Sequence, residues 1–481
     1  MKKHTSIIVL SALCLAFGSC SDDKMDEINE NKNNPTQMAS KFILTDVMTS
    51  SAFDCVGADL AFYASMYIEY NVGIFNQYYQ AELRNNQPTQ SSTYGNQWAQ
   101  LYTNLAHLKD CIQKCQEGGP EPDNYHGLGI AQIMTAYDLA LLTDLFGDVP
   151  WTEALQPGKI YAPILDSQES IYKAIFDYLD SAIENLGKEC KYTMENQDLY
   201  YGGNVQNWIK FANGLKARYT MRLLKRSADQ NADLNKVIEY ANKSFASADE
   251  EAKFNHYDGV NATSPYYQFY IDRNYFGSSK SLYSLLDAKA DPRIDIYFKE
   301  NKNGTFELAE NGRPTQQQDY YGISGISKPD APTFLLSYHE IEFLKAEAYS
   351  RLGKYTEAQD ACAKAITAAC KKKNVNVADD KIEDYVTKIT KAMNGDNALK
   401  EVAIQKYLAF YEEEAVEAYN DIRRWKALGE TPITFAHPQA DKFPVRFAYG
   451  DGDVTANPNV FKAYEAIDVF NDNVWWAGGS R

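Results

Sequence analysis

The sequence predicts a mostly α-helical protein in which stacked helix pairs form a scaffold and long irregular loops are inserted between them. Apolar residues recur at helical spacing through most of the chain after Ala39, as in amphipathic helices. Two of these segments, Phe334–Leu352 and Tyr355–Cys370, are separated only by a Gly-Lys dipeptide, which indicates an antiparallel pair joined by a tight turn. Residues 250–333 are instead rich in Tyr, Asn, Gly and Pro, a composition typical of an irregular insertion.

The last of these helix pairs resembles a tetratricopeptide unit. In EIEFLKAEAYSRLGKYTEAQDACAKAI, small residues let two helices approach closely and a glycine turns the chain. Two other predicted pairs fit the template more weakly, because no period of about 34 residues runs through the chain. They are Leu128–Phe146 with Gln168–Leu186, and Asn207–Arg226 with Asp233–Phe245. Further helices are predicted at Phe42–Tyr70, Gln97–Cys115 and Leu399–Leu428. Together the patterns predict a curved, tetratricopeptide-like helix-pair scaffold.

One predicted helix stops abruptly within TAYDLALLTDLFGDVPWTEAL. Leu139, Leu142 and Phe146 continue an apolar stripe to the end of the helix. Gly147 then supplies a residue that tolerates a positive φ, and Pro150 prevents the helix from continuing. We interpret the stretch as a capped core helix that does not contact ligand.

Composition and charge exclude some classes of protein. The chain has 481 residues, of which 44% are hydrophobic, enough for a sizeable core. A net charge of -17 argues against a nucleic-acid partner, since phosphate binding needs clustered Lys and Arg. The 35 tyrosines combine a broad apolar face with a polar tip, which suits cores and wet binding surfaces alike.

The first residues predict secretion and lipidation. Lys2 and Lys3 precede an apolar run, Ile7–Phe17, of the length that a secretory signal requires. The run ends in Gly-Ser-Cys, a pattern that resembles a bacterial lipobox, with Cys20 as the lipidated residue. The following Ser-Asp-Asp-Lys looks like the acidic tag of some surface-exposed lipoproteins.

The predicted organisation has three parts. Residues 1–19 are the lipoprotein signal peptide, and residues 20–38 are the lipidated cysteine with a polar, flexible tether. Residues 39–481 form a single helical domain that carries the insertion at about 250–333.

A search for catalytic and metal-binding motifs predicts neither an enzyme nor a cofactor. The sequence has no HExxH, GxSxG, P-loop or kinase-type catalytic motif. Asp451, Asp453 and Asn457 imitate part of a calcium loop without its sixth-position Gly and twelfth-position Glu, so we expect no metal. The acidic run 412–414 is interpreted as a solvated helix face. The six cysteines beyond Cys20 lack zinc-ligand spacing.

Ligand binding is expected where aromatic and polar side chains concentrate in loops. A sugar ring stacks on an aromatic face while its hydroxyls bond to Asn, Arg or Asp, and peptides use the same surfaces. Three loop segments have this composition, and their candidate residues are Tyr78, Tyr79, Arg84, Asn96 and Trp98, then Tyr266, Tyr267 and Asn274, then Tyr320 and Tyr321. The alternative for each residue is packing of a loop onto the helices, and Trp98 in particular fits a helix start that faces the core.

Four stretches, in this order behind the lipobox, resemble the SusD/RagB family of outer-membrane nutrient-binding lipoproteins. They are DLALLTDLFGDVPWTEAL, APTFLLSYHEIEFLKAEAYSRLG, VAIQKYLAFYEEEAVEAYNDIRRW and FPVRFAYGDGDVTANPNV. The resemblance covers the mature chain, and its one noted departure is Gly450 where members often carry Pro.

The resemblance implies a non-enzymatic, lipid-anchored protein on the cell surface. Such a protein forms a lid over a SusC-like TonB-dependent outer-membrane transporter and passes it a nutrient. The ligand is expected to be an oligosaccharide, or a peptide as in some branches. Two further alternatives rest on the residues alone: a tetratricopeptide-like adaptor that binds only protein partners, and a secreted glycoside hydrolase.

Overall fold

The computed structural model describes residues 38–480, so the signal peptide, Cys20 and most of the tether lie outside the described residues. From Ser40 onward the chain forms one compact unit. The mostly helical fold class is confirmed, since helices dominate and the strands are few and short.

The helices of the first half are joined by turns, by 3-10 segments and by two longer connections, residues 147–167 and 187–204. They are α1 (Ser40–Ser50), α2 (Asp59–Tyr67), α3 (Asn76–Glu82), α4 (Gly95–Cys115), α5 (Tyr125–Phe146), α6 (Gln168–Leu186), α7 (Val205–Arg222) and α8 (Gln230–Asn242). A π-helical turn, Ser51–Val56, follows α1 directly. The helix predicted over Phe42–Tyr70 is therefore interrupted, whereas the prediction Gln168–Leu186 matches α6 end for end.

The second half adds short helices in the insertion and long ones beyond it. They are α9 (Pro265–Asp272), α10 (Lys280–Lys289), α11 (Ile294–Tyr297), α12 (Tyr338–Arg351), α13 (Tyr355–Cys370), α14 (Asp379–Ala392), α15 (Asp396–Ala409), α16 (Ala415–Ala427), α17 (Asp451–Ala456) and α18 (Pro458–Ala466). Helix α12 packs along α13, α5 along α6, and α7 along α8, which are the pairs that the sequence predicts.

Helix α5 is the centre of the core. From Gly127 to Phe146 every residue is buried, and the Asn124 side chain accepts the Gly127 N–H at the first turn. At the other end Gly147 has φ 82°, and its N–H donates to Thr143 O at 2.8 Å, as expected for a glycine that ends a helix. Among the described residues α5 alone is long and apolar enough to span a bilayer, but its complete burial is that of a soluble core helix.

Two sequence predictions fail where a partner distant in the chain decides the structure. The helix predicted to start at Phe334 begins at Tyr338, because residues 333–336 pair as a strand and Ser337 caps the helix. The helix predicted over Leu399–Leu428 is broken into α15 and α16 by an acidic turn. Within that turn Glu412 and Glu414 are buried, so the run is not a solvated face.

The six short strands pair two by two, all antiparallel. They are β1 (Asn71–Gly73), β2 (Ala252–Phe254), β3 (Phe276–Ser278), β4 (Phe298–Lys299), β5 (Ile323–Ser324) and β6 (Thr333–Leu336). Strand β1 pairs with β3, β2 with β6, and β4 with β5. The β1–β3 ladder joins the segment after α2 to the insertion, about 200 residues later in the chain.

A buried ionic network ties the scaffold helices together. Its cations are Arg218 and Arg222 on α7, Arg351 on α12, Lys406 on α15 and Arg424 on α16. Its carboxylates are Asp144 on α5, Glu340 and Glu347 on α12, and Glu417 and Asp421 on α16. Because each charge has an opposite partner, the network satisfies charges that would otherwise be costly to bury.

Candidate functional site

The β1–β3 ladder brings separate tyrosine-rich segments side by side. Directly after the strands, the Ile74 N–H donates to Tyr275 O at 2.8 Å. The rings of Phe75 and Tyr275 then meet with centroids 5.4 Å apart. Tyr79 lies four residues beyond Phe75, in the first turn of α3, and its N–H donates to Phe75 O at 3.1 Å. Each of these three side chains is half-buried and retains a solvent-facing part.

A second connection brings the loop around Tyr320 to the same place. The Asn274 Nδ2 amide donates to the Asp319 carboxylate, and Gln318 Nε2 donates to Arg273 O at 2.6 Å. Tyr320, next in the chain after Asp319, is 38% exposed. The surface formed by Phe75, Tyr79, Asn274, Tyr275 and Tyr320 is called the aromatic face.

The backbone of the aromatic face is strained at two of its polar residues. Asn274 has φ 48° and Asp319 has φ 56°, in the left-handed region that non-glycine residues rarely occupy. The Asn274 Oδ1 atom is buried and has no hydrogen-bond partner among the described residues. Left-handed residues and unpaired buried polar atoms concentrate at functional sites, where they hold groups for a ligand.

Five of the ten candidate residues are buried, which removes them from the aromatic face. Tyr78 stacks on Tyr63 with centroids 4.9 Å apart, and Tyr266 packs against Phe62 at 4.8 Å. Trp98 Nε1 donates to Asp453 Oδ2 at 2.8 Å. In α3 and α9 the first tyrosine of each adjacent pair, Tyr78 or Tyr266, faces the core, and the second is half-buried.

The two remaining buried candidates are Arg84 and Tyr321. The Tyr321 hydroxyl accepts the Thr315 N–H at 2.7 Å, and its ring packs on Val72 and Ile74 behind the aromatic face. Arg84 is 3% exposed and donates to Gln439 O at 3.0 Å. Both side chains support the loops from behind and do not form their surface.

The other candidates stay exposed. Tyr79, Asn274 and Tyr320 lie on the aromatic face, as described above. Tyr267 is half-buried on the outer side of α9, near the exposed Ile271. Asn96 is exposed at the start of α4, beside a glycine that closely approaches Asp451. The structure therefore assembles three of the ten candidates into one surface and leaves Asn96 on a different element.

Two aromatic residues of the aromatic face were not identified from the sequence. Phe75 and Tyr275 lie in the same loop segments as the chosen tyrosines, IFNQYYQ and DRNYFG. Phe75 has no hydroxyl, and Tyr275 directly follows the candidate Asn274. Only the strand pairing, which joins residues far apart in the chain, identifies the two rings as neighbours.

Glu412 is one of the buried groups that join the insertion to the scaffold. It accepts hydrogen bonds from Ser324 Oγ at 2.6 Å, Ser327 Oγ at 2.8 Å and the Tyr270 hydroxyl at 3.1 Å. Burial raises the pKa of Glu412 to about 7, and these hydrogen bonds oppose the rise. Because Tyr270 belongs to α9 and the two serines to the end of the insertion, Glu412 fixes the position of the segments that carry the aromatic face.

The described part of the chain offers no cluster of His, Cys, Asp or Glu with metal-binding geometry. Its six cysteines are all free thiols. Asp453, a candidate of the calcium-like sequence, instead accepts the indole N–H of Trp98. The chemistry of the aromatic face is accordingly stacking and directional hydrogen bonding.

A helix-pair scaffold that carries a loop-built aromatic face places the chain among α-helical ligand-binding proteins. The SusD-like family described as "Starch-binding associating with outer membrane" matches residues 32–450. The chain therefore belongs to the SusD/RagB family, whose members are binding proteins associated with the outer membrane.

Solved structures agree with this assignment. A SusD/RagB family protein from Bacteroides thetaiotaomicron is 42% identical, with a TM-score of 0.85 over 92% of this chain and 100% of its own. A chitin-binding SusD homologue from Flavobacterium johnsoniae is 18% identical, with a TM-score of 0.73 over 91% and 98% of the two chains. A SusD homologue from Bacteroides uniformis is 20% identical, with a TM-score of 0.72 over 92% and 99%. No curated protein matches the sequence.

Proposed function

We propose that this protein is a cell-surface lipoprotein that captures an oligosaccharide on its aromatic face and delivers it to a SusC-like TonB-dependent transporter. It acts there as the lid of the transporter barrel, without catalysing a reaction. The family match over residues 32–450 is the observation that carries the proposal. Similarity to a chitin-binding relative supports a glycan in preference to a peptide.

The aromatic face has the chemistry that a sugar ring requires. Tyr79, Tyr275 and Tyr320 offer ring faces for the C–H side of a sugar and hydroxyls for its polar edge. Asn274 and Asp319 supply a polar edge within the same surface. The strand ladder and Glu412 hold these groups in place before ligand arrives, which reduces the entropy lost on binding.

Replacing Tyr79 and Tyr320 together with alanine should weaken oligosaccharide binding by about tenfold or more. Each lost stacking contact is worth about 0.5–1.5 kcal/mol, and about 1.4 kcal/mol corresponds to a tenfold change. The measurement is retention on an array of oligosaccharides, followed by titration calorimetry with the best ligand.

The matched control for this pair is Tyr355→Ala. Tyr355 is also 38% exposed but lies at the start of α13, on the tetratricopeptide-like pair. Loss of binding in Tyr355→Ala, with the double variant unaffected, would place the ligand elsewhere. Retention on a peptide library but not on glycans would favour a peptide ligand, and retention on neither would favour a protein adaptor.

Replacing Cys20 with alanine should release the protein from the outer membrane into the soluble fraction. The reason is that the lipobox-like Gly-Ser-Cys provides the only residue on which the proposed lipid is attached. Fractionation of cells with Ser19→Ala as the control measures the effect, since that change leaves a small residue before Cys20. A Cys20→Ala protein that stays in the membrane fraction would refute the lipid anchor.

A further inference from the structure

Residues 433–438, an extended segment that follows the last long scaffold helix, form one wall of a small cavity. Alternate residues of this wall, Ile433, Phe435 and His437, line a cavity of about 170 Å³. The residues between them line an open groove on the other side, as the alternation of an extended chain requires. The buried carboxylate of Glu69 holds the wall, accepting the Ala436 N–H at 2.9 Å and the His437 N–H at 2.7 Å.

The cavity combines an aromatic lining with two cations. The Phe443 ring stacks on Phe435 with centroids 6.0 Å apart and an interplanar angle of 10°. Lys426 Nζ lies 4.2 Å from the centroid of Phe443, and Arg84 Cζ lies 5.6 Å from the same centroid. All four side chains line the cavity, together with Trp425.

Neither cation makes a direct ion pair, although the buried Glu82 and Glu69 attract Arg84 from a longer distance. Arg84 donates to the backbone oxygens of Gln439 at 3.0 Å and Tyr67 at 3.4 Å, which uses two of its five N–H groups. Among the side chains that the structure describes, no carboxylate forms an ion pair with Arg84 or Lys426. Glu430 also lines the cavity, but both of its oxygens are held by Arg351 at 2.7 Å.

The remaining titratable group of the cavity does not supply a charge. His437 Nε2 donates to Glu82 O at 2.7 Å, and its Nδ1 accepts the Gln439 N–H at 3.1 Å, so the ring is neutral. Burial and the nearby Arg84 lower the pKa of His437 to about 4. Burial also lowers the pKa of Arg84 and of Lys426, and the charges of Glu82 and Glu69 oppose the decrease at Arg84.

We propose that this cavity binds a carboxylate group of the ligand, seated between Arg84 and Lys426 with its apolar body against Phe443 and Phe435. A guanidinium and an ammonium group converging on one site form strong charge-assisted hydrogen bonds to a carboxylate. A cavity of about 150 Å³ accommodates a single six-membered ring, so the volume fits one acidic residue of a longer ligand. In a protein of net charge -17, two cations without direct ion pairs at one cavity favour an anion.

The inference rests on the proposed function, because it assigns an acidic group to the captured nutrient. A carboxylate of this size comes from an acidic sugar or from an acidic amino acid. The full-length protein in detergent is therefore titrated with D-glucuronate against D-glucose, and with the α-amide of N-acetyl-glutamate against the α-amide of N-acetyl-glutamine. Each pair differs in charge at nearly constant size.

The expected result is binding of at least one of the two acids, measured by calorimetry, and about tenfold weaker binding of its neutral counterpart. Lys426→Gln should weaken binding of the acid by about tenfold, and Lys462→Gln, an exposed lysine on α18, should leave it unchanged. Arg84→Lys keeps the charge of a buried residue and should change the affinity less than Lys426→Gln does. Glucuronate binding identifies an acidic sugar as the source, and binding of the N-acetyl-glutamate α-amide identifies an acidic peptide.

The proposal is overturned if neither acid binds, if acid and neutral counterpart bind equally, or if Lys426→Gln has no effect. Its failure is distinct from failure of the proposed function. Neutral oligosaccharides that bind through Tyr79 and Tyr320 would leave the function intact without the carboxylate site. Acid binding to this cavity in a protein that retains no oligosaccharide or peptide would leave the site intact without the function.

Discussion

Replacing Arg424 with alanine should lower the free energy of unfolding by about 3–5 kcal/mol. The reason is that the change removes the bidentate partner of the buried Glu347 carboxylate. Arg424 donates to both oxygens of Glu347, at 2.6 and 2.7 Å, and to Asp421 Oδ1 at 2.9 Å. Both Arg424 and Glu347 are 1% exposed. The guanidinium groups of Arg424 and Arg351 hold the pKa of Glu347 well below its usual range. Urea denaturation followed by circular dichroism measures the loss.

The exposed pair Lys243–Glu239 provides the control for this prediction. It has the same kind of contact, 2.7 Å between Nζ and Oε1, but both side chains are 57% exposed. Lys243→Ala should cost less than about 1 kcal/mol, since solvent screens the pair. Equal losses in the two variants would show that burial of the network contributes nothing to stability.

Raising the pH from 5 to 8 should loosen the insertion from the scaffold, and Glu412→Gln should suppress this effect. The pKa of Glu412 is about 7 in the folded protein, above its ordinary value of 4.5. A raised pKa means that the stabilisation is fully present below pH 4.5 and is lost as the pH rises through 7. The difference between the folded and the ordinary pKa of Glu412 corresponds to about 3 kcal/mol of stability. Hydrogen exchange of the amides in α9 reports the loosening.

Other buried carboxyls titrate in the same range, so the test must isolate Glu412. Burial also raises the pKa of Glu82 and of Asp138 to about 7. Comparing wild type and Glu412→Gln at both pH values cancels their contribution, because the two proteins share these groups. The same pH dependence in both proteins would mean that Glu412 is not the titrating link.

Local sequence patterns predict the scaffold helices well because the residues that start and end each helix lie next to it in the chain. The N-terminal cap Ser167 and the apolar spacing of α6 give that helix its observed bounds, and Gly147 ends α5 as predicted. The break at Glu412 could not be predicted in this way. Its cause is a set of hydroxyl partners from the insertion, between 85 and 142 residues away in the chain.

The candidate site was predicted only in part, for a related reason. Composition identified the loops that carry the aromatic face, but it could not distinguish Tyr78 from Tyr79. Tyr78 is 2% exposed because its hydroxyl reaches Asp59 at 2.5 Å and its ring fits among core aromatics, which depends on packing between helices. Arg84, a candidate ligand-binding residue in the sequence, is buried behind the aromatic face and lines the cavity beside Phe443.

The β1–β3 ladder has a consequence for how relatives diverge. Three residues on each strand are paired through their backbone groups. The pairing therefore does not depend on the side chains of the loops that follow the strands. Its fixed positions are the glycines: a Cβ at Gly73 would meet Tyr78 O at 2.2 Å, and one at Gly277 would meet Tyr321 Cβ at 2.9 Å. Mutations can therefore replace the exposed tyrosines one at a time without unfolding the scaffold. A chain that keeps the two glycines keeps this pairing, whatever side chains the following loops carry.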